Sequence, residues 1–102
     1  MMDRVKIISD IEDYIEGIEE MALSSQNAFA IQQAIIDLRR AYEGETATVR
    51  NLFEKDEIAR HLEDSYAYMQ FFIEDEGDSF FEGGKLKILL ALQHLLLLLR
   101  LQ

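Results

Sequence analysis

Two histidines, His61 and His94, are the side chains of this chain best suited to acid-base or metal chemistry. Glu57 precedes His61 by four residues and Asp64 follows it by three, so a helix would place these three on one face. No Glu-x-x-His pair, the usual ligand spacing in helical metal sites, accompanies them. We therefore expect a solvated, salt-bridged face here, and we predict no metal site, no cofactor and no catalytic residue.

Closely spaced glutamates are a second feature that could carry chemistry. Glu16 with Glu19, and Glu54 with Glu57, resemble the Glu-x-x-Glu motif of MazG-type nucleotide pyrophosphohydrolases. The resemblance would imply a metal-dependent phosphohydrolase of an all-α class. The Glu-x-x-Asp motif of that family occurs nowhere in the chain, and 20 acids in 102 residues produce Glu-x-x-Glu pairs by chance. The phosphohydrolase is kept as an alternative to the main expectation, a protein that is not an enzyme.

The segment from Asp56 to Phe72 resembles a helix-turn-helix, because apolar and small residues occupy the positions that this motif requires. The resemblance would imply a transcriptional regulator. The turn, however, would need a glycine at Glu63 and an apolar residue at Asp64. The following segment, 65–75, has no lysine or arginine that could contact DNA phosphates. An uninterrupted amphipathic helix is the simpler interpretation.

The composition excludes several classes of protein. A formal charge of −10 disfavours direct contact with nucleic acid, since such binding depends on lysine and arginine. The absence of cysteine excludes disulfides and thiol catalysis and is typical of a cytoplasmic protein. We expect no signal peptide and no membrane span, because the C-terminal apolar run is short and carries polar residues.

Apolar spacing predicts an all-α fold, a four-helix up-down-up-down bundle that forms a single domain over residues 1–102. The chain has no proline and only 5 glycines, so long helices can continue without interruption. The first helix is predicted from Arg4 to Ala22. The second is predicted with Asn27 at its cap and Gly44 at its end. The expected core positions of these two helices are Ile8, Ile11, Ile15, Ile18, Ala22, Ala28, Ile31, Ile35, Leu38 and Tyr42, and Ile7, Tyr14 and Met21 widen the stripe of the first helix.

The third helix has Thr46 as its predicted cap and an interruption near Lys55, a charged residue at an inward position. One long helix and a short helix followed by a long one are both compatible with this pattern, and Asp56 is a suitable cap for the second. We predict that the stretch from Asp75 to Gly84 is a loop, because it collects three glycines. The expected core positions of the third helix are Leu52, Ala59, Leu62, Tyr66, Met69 and Ile73.

The last predicted helix is apolar on two opposite sides. Its inner side consists of Ile88, Leu92, Leu95 and Leu99. Its outer side, which we call the outer leucine face, consists of Leu86, Leu90, Leu97 and Leu101, with Gln93 and His94 at the rim. A small bundle can bury the inner side by itself, so we expect the outer face to meet a second copy of the chain. The alternative is that aromatic and aliphatic residues of the same chain cover it, namely Phe29, Ile36, Phe80 and Phe81.

These features predict a protein-protein interaction module that homodimerises through its C-terminal helix and acts as an adaptor, regulator or inhibitor. An unidentified protein partner is compatible with this prediction. The second hypothesis is that the acidic surface imitates nucleic acid and inhibits a DNA- or RNA-processing protein.

Overall fold

The structure, a computed structural model, describes residues 4–42, 47–75 and 77–101. Within these ranges the chain forms five α-helices and no strand, so the predicted all-α fold is confirmed. The helices are α1 (Arg4–Glu19), α2 (Ser25–Ala41), α3 (Ala47–Phe53), α4 (Asp56–Asp75) and α5 (Asp78–Arg100).

The long helices α4 and α5 are antiparallel neighbours. The Ser65 hydroxyl donates to the Gly84 carbonyl over 2.6 Å, in the middle of α4 and near the start of α5. At the other end, His94 Nδ1 lies 3.6 Å from Glu57 Oε2, near the start of α4. Helix α5 is central to the bundle, since it also packs against α1 and α3.

The remaining pairs follow the same up-down order. Arg100 pairs with Glu12 at 2.8 Å, so the end of α5 lies beside the middle of α1. The Lys85 ammonium donates to the Glu19 carbonyl over 2.9 Å, so the start of α5 lies beside the end of α1. Helix α2 packs along α4, where the Gln32 amide donates to the Tyr66 carbonyl over 3.1 Å.

The core confirms the predicted stripes of α2 and α5 and corrects those of α1 and α4. In α1 the buried residues are Ile7, Ile11 and Ile18, whereas Ile8 and Ile15 are only partly buried and Ala22 is exposed beyond the end of the helix. In α4 the buried face is displaced around the helix by about one residue from the predicted stripe, so that Tyr66 is 39% exposed. The reason is that α4 must face α5 as well as α2, and the spacing of apolar residues alone does not fix the direction of greatest burial. The buried residues of α4 are Ile58, Leu62, Ser65, Met69 and Phe72.

The predicted boundaries of the first two helices need two corrections. Helix α1 ends at Glu19, three residues before Ala22. The N-cap of α2 is Ser24, whose hydroxyl accepts a hydrogen bond from the Asn27 backbone N–H over 3.0 Å. Asn27 therefore lies inside the first turn of the helix and is not its N-cap. The predicted roles of Gly44 and Thr46 lie outside the described residues.

The third predicted helix is divided into a short helix and a long one, which is the second of the two alternatives. Helix α3 ends at Phe53 and α4 begins at Asp56, with Lys55 in the intervening turn. Asp56 belongs to the first turn of α4 and does not cap it from outside. A carboxylate in that turn still interacts favourably with the positive end of the helix.

The predicted loop from Asp75 to Gly84 is wrong, because α5 already begins at Asp78 and includes both Gly83 and Gly84. Glycine composition suggested a loop, but the two glycines serve close packing between helices. A Cβ on Gly84 would lie 3.2 Å from the Ser65 carbonyl oxygen of α4. The absence of a Cβ at Gly84 lets α4 and α5 approach closely. This contact stabilises the helix at two glycines, whose intrinsic helix propensity is low.

Replacement of Gly84 by alanine tests this explanation. A methyl group gains about 1 kcal/mol of helix propensity but overlaps Met69 Cε, which would lie 2.9 Å away, and presses on the Ser65 backbone. We expect the Gly84→Ala variant to lose about 1 to 2 kcal/mol of unfolding free energy in chemical denaturation.

Gly17→Ala is the matched control, because a Cβ there meets no atom within 4 Å. This variant should gain about 0.5 to 1 kcal/mol. Equal stabilisation of both variants would show that α4 and α5 do not need the close approach at Gly84.

Candidate functional site

The outer leucine face is exposed to solvent. Leu86 is 56% exposed, Leu90 40% and Leu97 55%, and Leu101 at the end of the helix is 75% exposed. On the opposite side of α5, Ile88, Leu92, Leu95 and Leu99 are almost completely buried. The two-sided pattern predicted from the sequence is thus present, and only one of its sides takes part in the core.

Polar pairs border this face on both sides. Arg100 bonds Glu12 of α1 on one side, and His94 lies against Glu57 of α4 on the other. Gln93 is exposed within the stripe, between Leu90 and Leu97 in sequence. The face therefore points outward between α1 and α4, with an apolar centre and a polar rim.

The residues proposed to cover the outer leucine face within the chain lie elsewhere. Phe81 is fully buried and contacts Phe72, with ring centroids 5.3 Å apart. Phe80 packs against Phe71 of α4 at 5.4 Å. Phe29 is on α2, which is not among the helices that pack closely on α5, and is itself 56% exposed. The alternative of intramolecular cover is therefore not supported by the positions of these side chains.

Charge is unevenly distributed along the bundle. The up-down order brings the start of α1, the end of α2, α3, the start of α4 and the end of α5 to one end, which we call the basic end. The opposite end we call the acidic end. Eight of the ten lysines and arginines lie toward the basic end: Arg4, Lys6, Arg39, Arg40, Arg50, Lys55, Arg60 and Arg100. Exposed acids at the same end include Asp37, Glu54, Asp56, Glu57 and Glu63, so its net charge is close to zero. Exposed carboxylates of the acidic end include Glu16, Glu19, Glu20, Glu74, Asp75, Asp78 and Glu82.

Comparison of the chain with protein families, with curated proteins and with solved structures finds no match.

The residues singled out for metal chemistry are not brought together. Glu57 is directed toward His94 and is largely exposed, whereas Nδ1 of His61 is buried without a hydrogen-bond partner in the part of the chain that the structure describes. Over residues 4–42, 47–75 and 77–101 there is no group of three or more acidic or histidine side chains arranged to hold a metal ion. His94 and Glu57 thus act as a rim pair of the outer leucine face.

The arrangement of the helices also separates the other motifs. Glu16 and Glu19 lie near the end of α1, at the acidic end, whereas Glu54, in the turn before α4, and Glu57, in its first turn, lie at the other end. The four glutamates therefore do not form one site. Helix α4 is continuous through the position where a helix-turn-helix requires its turn. No helix in the described part of the chain combines the length and apolar character needed to cross a membrane.

An arginine-lined pocket was not foreseen from the sequence. It has a volume of about 560 Å³ and combines Arg39, Arg40 and Arg50 with the aromatic pair Tyr42 and Phe53. The two α2 arginines occupy the last helical turn, where cations interact favourably with the exposed carbonyl groups. Stabilisation of the helix end therefore accounts for them, and only the tertiary fold adds Arg50 from α3.

A groove of about 650 Å³ separates α1 from α2, which pack less closely than α4 and α5. Small side chains line it, and Asp10 and Asp37 lie at its edges with Tyr14. Burial raises the pKa of the Tyr14 phenol above its usual value, and the negative charges of Asp37 and Asp10 add to the increase. Tyr14 accordingly remains protonated in the folded chain at a pH where free tyrosine ionises.

The raised pKa of Tyr14 predicts a loss of stability in alkali. The contribution of the neutral phenol is fully present below pH 10.0, the usual tyrosine value, and decreases as the pH rises from there through the higher pKa of the folded state. Tyr14→Phe should therefore lose less unfolding free energy than the unmodified chain between neutral pH and pH values above 10.0 in urea titrations. Identical alkaline losses in the two proteins would contradict the assignment.

Proposed function

We propose that this chain is a non-enzymatic protein-protein interaction module that forms a homodimer through the outer leucine face and acts as an adaptor, regulator or inhibitor in the cytoplasm. The observation that supports the proposal is the exposure of four leucines in one stripe of α5, of which Leu97 is 55% exposed. An apolar stripe with a polar rim has the composition of a protein interface.

The size of the stripe indicates the strength of this contact. Together the four leucines expose slightly more than the surface of two complete residues. Burial on both copies then gains on the order of 10 kcal/mol, and association costs at least about 4 kcal/mol in lost freedom. The difference corresponds to a dissociation constant on the order of tens of micromolar.

The interface needs more surface than the four leucines supply, and the polar pairs at the rim contribute it. A stable interface usually buries about 800 Å² on each partner, which is more than one face of a helix about 22 Å long provides. The contact must therefore extend to α1 and α4 on either side of α5. Arg100 with Glu12 and His94 with Glu57 lie at those two boundaries.

Leu90→Glu combined with Leu97→Glu tests the dimer. Because both side chains are substantially exposed, the double variant should keep the helical circular-dichroism spectrum while its mass in light scattering falls to that of a monomer. The measurement needs a concentration well above the expected micromolar dissociation constant.

Phe29→Glu combined with Tyr66→Glu is the matched control, since it adds the same charge at exposed aromatic residues away from α5. The control should remain a dimer. A Leu90→Glu, Leu97→Glu protein that stays dimeric, or an unmodified chain that is monomeric at high micromolar concentration, would refute the proposed interface.

The second candidate function is inhibition of a nucleic-acid-processing protein through mimicry of phosphates. It is favoured by one specific observation, the convergence of carboxylates from α1 and from the α4–α5 connection at the acidic end. A dense negative surface of this kind attracts basic grooves at low ionic strength.

Competition for a basic DNA-binding protein tests the mimicry. The chain should displace a DNA duplex in 50 mM salt and fail to do so at about ten times that ionic strength. Neutralisation of Glu16, Glu19 and Glu20 to glutamine should abolish the effect. The same change at Asp37, Glu54 and Glu63, toward the other end, should preserve most of it. Equal losses in both triple variants would count against a localised mimic.

A further inference from the structure

The leucine positions of the outer face are symmetric along α5. Leu86 and Leu90 are separated by four residues, as are Leu97 and Leu101, and the centre of the series falls between Gln93 and His94. A second helix that runs in the opposite direction therefore presents leucines at the same positions along the contact. All four leucines are exposed, so none is committed to the core of its own chain.

The charge distribution distinguishes antiparallel from parallel packing. A parallel pair of α5 helices would place two acidic ends side by side, including Glu19, Glu82 and their copies, and would set Arg100 beside its own copy. An antiparallel pair places the acidic end of each chain beside the basic end of the other, whose net charge is close to zero, and so avoids the repulsion between two acidic ends. Since exposed charges interact over about 8 to 10 Å at physiological salt, this difference acts directly across a dimer contact.

The surroundings of Arg100 differ between the two orientations. It lies at the C-terminal end of α5, whereas Lys85, near the N-terminal end, bonds the Glu19 carbonyl in the last turn of α1. In an antiparallel pair, Arg100 of one copy approaches this region of the other, where the exposed Glu19 and Glu82 lie near Lys85 and Lys87. In a parallel pair it would meet the like charge of its own copy. The macrodipoles of two α5 helices also favour the antiparallel arrangement.

We propose that two copies of this chain pack α5 against α5 in antiparallel orientation, about a twofold axis that passes beside Gln93 and His94. The arrangement rests on the proposed homodimer and specifies its geometry. The Gln93 amide lies near its own copy, and an amide carries both a donor and an acceptor, so the two can satisfy each other. His94 and Glu57 of each copy flank the axis on the α4 side.

Single introduced cysteines test the orientation, because the chain has none of its own. Gln93→Cys places a thiol beside the axis and should be crosslinked to its own copy by a short bifunctional maleimide in either orientation. Leu86→Cys distinguishes the two orientations. In an antiparallel pair it lies about 22 Å along the helix from its own copy, beyond the reach of the reagent. In a parallel pair the two thiols are adjacent.

The decisive sample is a mixture of the Leu86→Cys and Leu101→Cys proteins. Antiparallel packing predicts a crosslinked product that contains one chain of each kind, identified by mass, and at least tenfold less of either self-linked product. Gln33→Cys, on the exposed surface of α2, should give no crosslinked product and controls for random collision.

The outcomes separate this inference from the proposed dimer. If Gln93→Cys is not crosslinked and the unmodified chain is monomeric in light scattering, the proposed homodimer fails, and the orientation fails with it. If Gln93→Cys is crosslinked and Leu86→Cys is efficiently linked to its own copy, the dimer stands and the antiparallel orientation is overturned. Preferential formation of the mixed product supports both.

Discussion

The close packing of α4 against α5 is the interaction on which the rest of the structure depends. It is made possible by Gly84, whose missing side chain admits Met69 and the Ser65 backbone, and it is fixed by the hydrogen bond from the Ser65 hydroxyl to the Gly84 carbonyl. The buried side of α5 then meets both α4 and α1, and α2 packs along the other side of α4. Because this packing determines the rotation of α5 about its axis, it also determines which leucines remain outside.

The outer leucine face follows from the limited size of the bundle. Four helices of about 20 residues surround one core, and a central helix such as α5 can contact neighbours over only part of its circumference. Phe80 and Phe81 are the aromatic residues of the α5 helix itself, and both are used in contacts with α4. The leucines of the outer leucine face stay exposed in the described part of the chain, so contact with a second polypeptide would remove them from water.

The up-down topology brings basic residues that are scattered in the sequence to one end of the bundle, so that the two ends differ in charge. The basic residues lie at the start of α1, at the end of α2, in α3, at the start of α4 and at the end of α5, far apart in sequence but at one end of the bundle. A net charge of −10 would by itself oppose self-association. The uneven distribution affects orientation, because a parallel pair would place the two acidic ends together, whereas an antiparallel pair sets each acidic end beside an end whose net charge is close to zero.

The sequence alone determined the all-α class and the two-sided apolar pattern of α5, because helical periodicity is a local property. The charged Lys55 at an inward position indicated an interruption, and the tertiary structure decided between one long helix and two helices. The tertiary structure alone decided that Gly83 and Gly84 are helical, since a local pattern of glycines describes flexibility and not the space available beside another helix. It also decided that Tyr66 lies outside the core and that Glu57 pairs with His94, because both depend on the rotation of α4 against α5. The exposure of Leu86, Leu90, Leu97 and Leu101 could be anticipated as one of two possibilities, and only the packed positions of Phe80 and Phe81 distinguish them.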